Sequence, residues 1–125
     1  MPIVQAVDAP TFTLGQATFT GLAAPSRGAR ETCVWRTRAE PGGAGAEHWF
    51  DREEILVVLS GAAVARLGGV ETRVEAGGAI IVPAGCRFAV TAEGGAAVEM
   101  LAVLPVGAKA HMVENGEPFV PPMAM

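Results

Sequence analysis

Residues 42–61 read GGAGAEHWFDREEILVVLSG, and this stretch decides the fold. With Pro41 before it, the glycine-rich first part can only be loop. His48 to Phe50 suits a short strand, and Asp51-Arg52-Glu53 turns the chain. Glu54 to Leu59 is nearly all apolar, β-branched in part, and too short for a typical helix. A run of this kind reads as a strand covered on both faces. Gly61 ends it.

The same rhythm continues towards the C-terminus. Ala63 to Leu67 and Val70 to Glu75 form a hairpin around Gly68-Gly69. Ala79 to Val82 is a second doubly covered strand, stopped by Pro83 and Gly85, since proline cannot donate to a ladder. Cys86 to Thr91 and Val98 to Leu104 complete the set around a turn at Glu93-Gly94-Gly95. Towards the N-terminus, Glu31 to Arg38 alternates, with Cys33, Trp35 and Thr37 on one face and Val34, Arg36 and Arg38 on the other. A turn-rich loop at 23–28 precedes it, and Val4 to Thr20 holds one or two short strands. From Pro105 onward the chain becomes irregular, an extended arm over residues 105–125. Roughly nine or ten short strands with no βαβ rhythm and no solenoid repeat make an all-β sandwich or barrel.

Composition agrees with one domain over residues 1–125. Half of the residues are apolar and 18% are charged, which excludes disorder. The 16 glycines and 9 prolines are spread along the chain, as many turns require. The net charge of −4 comes without a basic run, so a nucleic-acid partner is set aside. No apolar run approaches membrane-spanning length, and Met-Pro-Ile-Val-Gln lacks the layout of a signal peptide. Cys33 and Cys86 have no metal or redox spacing. The expectation is a cytoplasmic protein with neither a membrane nor a nucleic-acid partner.

Two anchored patterns then become specific. Gly42, five residues, His48, one residue, Phe50, three residues, Glu54, six residues, Gly61 resembles the first motif of the cupin family, spanning residues 42–61. Gly77, five residues, Pro83, one residue, Gly85, two residues, Phe88 resembles the second, spanning 77–92. The resemblance implies a jelly-roll β-barrel of antiparallel strands and a homodimer. In metal-binding members the first motif supplies two histidines and a glutamate, and the second a further histidine. Here His48 and Glu54 hold the first and third of those positions. Phe50 and Phe88 replace the two other histidines, and Ala92 replaces the closing asparagine.

Strand parity brings His48, Phe50, Glu54, Leu56 and Val58 to one face, with Cys86, Phe88 and Val90 converging from the second motif. The candidate pocket is therefore His48, Phe50, Glu54, Cys86 and Phe88. His48 and Glu54 are either a surviving metal or acid–base pair, with Glu54 raising the imidazole pKa, or an inherited hydrogen-bonded pair. The implied cofactor is none, or a weakly held divalent transition metal on His48 and Glu54, because stable sites want three or four ligands. His111 lies in the irregular arm and is read as exposed. Cys86 is read as an inert thiol rather than a nucleophile, and Cys33 likewise. Trp49 faces away from His48. Arg36 and Arg38 either line the barrel as a carboxylate clamp or lie on the surface, which the rarity of buried arginine favours.

The leading expectation is a cupin-like barrel that binds a small, partly apolar molecule. One alternative is a metal-dependent oxygenase or isomerase using His48 and Glu54. Another is a structural or regulatory barrel whose interior is filled solidly by side chains. Self-association is expected through open sheet edges, with the N-terminal strand and the arm at Pro118 to Pro122 as the pieces to cross over.

Overall fold

The alternation in the sequence becomes burial, strand by strand. The computed structural model describes residues 3–113 and 116–125; residues 1–2, and 114–115 within the arm, lie outside the described residues. Strands β1 (Thr11–Leu14), β2 (Ala17–Ala23), β3 (Thr32–Ala39), β4 (His48–Phe50), β5 (Glu54–Ser60) and β6 (Ala62–Leu67) form the first half. Strands β7 (Val70–Glu75), β8 (Ala79–Val82), β9 (Phe88–Ala92), β10 (Val98–Pro105) and β11 (Ala110–Met112) form the second. One sheet runs β1-β2-β3-β10-β5-β8 and the other β11-β4-β9-β6-β7. The pairings are antiparallel, and β10 lies between β3 and β5, as a jelly roll requires.

Between the sheets lies one apolar core. Cys33, Trp35, Leu56, Val58, Val82, Met100 and Leu104 come from the first sheet, and Phe50, Ala63, Ala65 and Phe88 from the second. In β3 the buried residues are Cys33, Trp35 and Thr37, while Arg36 and Arg38 are exposed. That resolves the arginines. Arg36 lies 3.6 Å from Glu99, Arg38 donates to Glu40 at 2.9 Å, and both are surface charges.

Glycines close the turns that the spacing predicts. Gly68 and Gly69 take φ of 55° and 85° between β6 and β7, the left-handed pair of a two-residue hairpin. Gly61 has φ 74°, and a Cβ there would meet the Ala97 carbonyl oxygen at 2.4 Å. Backbone freedom and close approach both demand glycine at this corner.

Two expectations change. The runs 54–59 and 79–82 are covered on one face only: Glu54, Leu56, Val58, Ile80 and Val82 are buried, whereas Leu59 is 41% and Ile81 58% exposed. An unbroken apolar run cannot by itself distinguish a doubly covered strand from one with an uncovered apolar face. The arm is also less irregular than its composition suggests. Ala110 to Met112 forms β11 against β4, and Phe119 bridges back to Ala110 through N–H···O distances of 2.7 and 3.1 Å. The end of the arm packs on the barrel of its own chain. Met123 and Ala124 are buried, Arg27 Nη2 donates to the Met123 carbonyl at 3.1 Å, and the Ser26 amide donates to the Met125 carbonyl at 3.1 Å.

Candidate functional site

The barrel interior is not filled. A cavity of about 660 Å³ lies between the sheets, in the range of small-molecule sites. Its walls come from His48, Phe50, Glu54 and Phe88 of the two motifs, with Phe19, Trp35 and Met100 from the opposite sheet. The loop at 42–46 and the arm residues Phe119 and Met123 complete the enclosure. A space of this size does not fit a barrel packed solid by its own side chains.

Register explains the convergence. His48 pairs with Phe88 of β9 on one side and with Met112 of β11 on the other, and Phe50 pairs with Ala110. Directly paired residues point to the same face, so imidazole, phenyl and thioether stand in a row along the cavity wall. The His48 ring lies 5.6 Å from Phe50, edge to face, and 4.3 Å from Phe88, and the two phenyl rings are 6.3 Å apart. Glu54 enters from the facing sheet, at the head of β5 opposite Val82.

The two polar groups are held in opposite ways. His48 Nδ1 lies 2.8 Å from the Ala46 carbonyl oxygen, which can only accept, so this nitrogen carries the proton. In the neutral ring Nε2 is then an acceptor. Burial lowers the imidazole pKa, opposed by the Ala46 hydrogen bond, and the neutral form is favoured. Glu54 is 3% exposed, and burial pushes its carboxyl up to about 8. At neutral pH it is largely protonated and presents an O–H donor.

Glu54 does not raise the imidazole pKa, contrary to the expectation. The shift at His48 runs the other way, and each group responds chiefly to burial rather than to the other's charge. The physical reason is placement: Nδ1 is engaged by Ala46 and phenyl rings flank the imidazole.

Cys86 is the one predicted pocket residue outside the cavity wall. It precedes β9, its amide closes a turn onto the Pro83 carbonyl, and its thiol lies 3.6 Å from the Arg87 carbonyl. Strand parity does not extend through a turn, so alternation back from Phe88 fails there. Cys33 is a buried thiol, 3.5 Å from the Ala124 carbonyl, with its pKa raised by burial and partly opposed by Arg27. Trp49 does face away from His48. It stacks on His111 at 3.8 Å with ring planes 3° apart, so His111 belongs to the outer face of β11 and not to the cavity. Sequence reading missed Trp35, Met100, Met112 and Phe119 as cavity walls. The alternation of β3 carried a signal for Trp35, but a three-residue strand such as β11 carries none.

The fit of a metal follows from the donor set. A cupin centre of three imidazoles and a carboxylate finds one of each here, with phenyl rings at the other two positions. Among the described residues no group of three or more His, Cys, Asp or Glu side chains converges. These residues do not fit a resident metal held by four side chains.

Comparison with known proteins gives the fold its relatives. Residues 35–104 match the family model described as a cupin domain. A search of curated proteins finds no match to the sequence. Among solved structures, the chain is similar to the polyketide cyclase RemF from Streptomyces resistomycificus, with TM-score 0.80 and 22% identity over 98% of this chain and 88% of that one. It is also similar to a cupin-superfamily sugar phosphate isomerase from Silicibacter pomeroyi, with TM-score 0.67 and 21% identity over 79% and 66% of the two chains. Salicylate 1,2-dioxygenase from Pseudoaminobacter salicylatoxidans gives TM-score 0.70 and 15% identity over 83% of this chain and 31% of that one. At such identities the likeness is one of fold. Among the described residues no helix is long and apolar enough to cross a membrane.

Proposed function

The chain belongs to the cupin family, and on that premise we propose that its barrel binds one small, uncharged, largely apolar molecule. Glu54 donates a hydrogen bond to it and His48 accepts one. The observation that carries this reading is a carboxyl only 3% exposed, whose burial favours the protonated form, facing a largely apolar cavity of about 660 Å³. A donor without a partner in such a place gains more from a ligand oxygen than from a mobile solvent contact. An anionic ligand would meet a carboxyl that resists ionising, and among the described residues no cation lines the cavity to balance it. The two thiols are free, which suits the reducing cytoplasm as the site of action.

A second reading rests on the opposed protonation of the two groups. A neutral acid at Glu54 and a neutral base at His48 are what proton transfer to and from a carbonyl compound would need. The likeness to a polyketide cyclase suits such chemistry. A divalent transition metal, where one is taken up, sits on His48 and Glu54 with solvent completing its shell, and is weakly held.

Native mass spectrometry tests the binding reading. Purified protein should carry a non-covalent small-molecule adduct, or take up one equivalent of an aromatic ketone such as 1-tetralone. Val90→Trp, which fills the half-buried β9 wall, should abolish uptake while leaving the β-type circular dichroism intact. A wild type that takes up nothing, or a folded variant that binds as well as wild type, refutes the reading.

A further inference from the structure

Glu54 is not the only polar side chain buried in the cavity wall. Thr37, 8% exposed, faces the same chamber from β3. Among the described residues neither side chain has a hydrogen-bond partner; the bonds of buried and half-buried side chains run from Arg27, Cys33 and His48 to backbone carbonyls. A hydroxyl buried in this way costs free energy unless a partner atom reaches it. Gln16 and Glu40 also line the chamber, but both are exposed and water satisfies them. Register sets the distance between the two buried groups. Thr37 pairs with Met100, and Ile55, the residue after Glu54, pairs with Val103. Glu54 therefore lies four residues along and two strands across from Thr37, roughly 17 Å away at the backbone. Between them stand Trp35 and Leu56, aligned through Ala102.

Side chains stand upright on a sheet, so the two polar tips remain about as far apart as their backbones. Two O–H···O contacts of ~2.7 Å leave roughly 11 Å between the ligand atoms that would meet them. We propose that the chamber takes an elongated, two-ended molecule, with a carbonyl oxygen held by Glu54 and a hydroxyl about 11 Å away held by Thr37. The proposal rests on the binding reading above and adds a third polar contact to those of Glu54 and His48. Thr37 is the outer of the two ends. Two residues on, Ala39 pairs with Ala17, and the Glu40 amide donates to the Gln16 carbonyl at 3.0 Å, where the lining residues Leu14, Gln16 and Glu40 are exposed. Glu54 lies at the inner end, so the molecule enters carbonyl first. A carbonyl suits that end because it can only accept, and a hydroxyl suits the other because threonine both gives and takes a hydrogen bond.

Estrone is a rigid probe of this shape, with a ketone and a hydroxyl at opposite ends of a fused-ring frame. Its analogue 3-deoxyestrone lacks only the hydroxyl. Binding of each is read from quenching of tryptophan fluorescence, since Trp35 lines the cavity. Wild-type protein should bind estrone about 5- to 10-fold more tightly than 3-deoxyestrone. Thr37→Val should bind the two equally, at the wild-type affinity for 3-deoxyestrone, and Thr37→Ser should restore the preference. Without ligand, Thr37→Val should melt no lower than wild type, because an unpartnered hydroxyl has gone. Should Thr37→Val not fold, Thr37→Ala makes the same test. A wild type that binds both steroids equally overturns the proposal, and so does a folded Thr37→Val that keeps the preference. Uptake of 1-tetralone with neither steroid bound also overturns it, while the binding reading stands. Failure to bind all three defeats the binding reading itself, and this proposal with it.

Discussion

Glu54→Gln should make the protein more stable in alkaline solution and leave it nearly unchanged in acid. The carboxyl has its usual pKa of 4.5 in the unfolded chain and about 8 in the barrel. Between those values the native state holds a proton that the unfolded state has released. Stability therefore falls as pH rises through this window and levels off above it. At 1.36 kcal/mol per unit, the full window corresponds to roughly 4–5 kcal/mol, a large share of a small domain's stability. His48 acts in the opposite sense. Its lowered pKa costs stability as pH falls below 6.5, so the two slopes oppose each other on the acid side and Glu54 alone acts from pH 6.5 to 8. Gln keeps the shape and cannot ionise. Urea unfolding of both proteins across this range should give curves that meet at low pH and diverge above neutrality. Parallel curves would mean that Glu54 does not hold its proton in the fold.

The second large effect is a gain of metal affinity in Phe50→His with Phe88→His. Three imidazoles bound at about 2.0–2.1 Å to one tetrahedral ion place their ring centres roughly 5 Å apart. The rings of His48, Phe50 and Phe88 already stand 4.3 to 6.3 Å from one another. Small rotations should then aim three nitrogens at one point, with the Glu54 carboxylate as fourth ligand once the ion's charge draws off its proton. Isothermal titration with Zn²⁺ or Ni²⁺ after chelator treatment should show weak or no binding by the wild type and an affinity higher by orders of magnitude in the variant. The exchange is ring for ring and should cost less than the ~3–5 kcal/mol of a phenylalanine truncated to alanine. Tight binding of one ion by the wild type would contradict the reading of the site, and failure of the folded variant to bind would contradict the convergence.

Much of this arrangement was legible in the two motifs because turns and parity are local. Gly61 and Gly85 lie at corners with positive φ, His48 and Phe50 share a face by parity within β4, and Glu54 and Phe88 reach the same cavity from the starts of β5 and β9. Cys86 was not legible for the complementary reason: it sits in a turn, where parity loses its meaning. The sense of the His48 shift was equally hidden, because it depends on the Ala46 carbonyl and on burial, which follow from the path of the 42–46 loop. The uncovered face of β5 and β8 was misread because an aliphatic run looks the same whether or not a second layer of the chain covers it. Met112 and Phe119 escaped notice because β11 and its bridge are held by pairing with β4, not by any pattern of their own.

The central claim is that a neutral Glu54 carboxyl is the recognition group of an apolar chamber. Calorimetric titration with an uncharged aromatic ketone, 1-tetralone, tests it most directly, because the ligand itself does not ionise across the range. At about pH 6 the carboxyl is protonated and should bind. At about pH 9.5, some 1.5 units above its pKa, binding should weaken by about 30-fold, and Glu54→Gln should bind equally at both values. Equal wild-type affinity at the two pH values, or no binding at the lower one, would contradict the account.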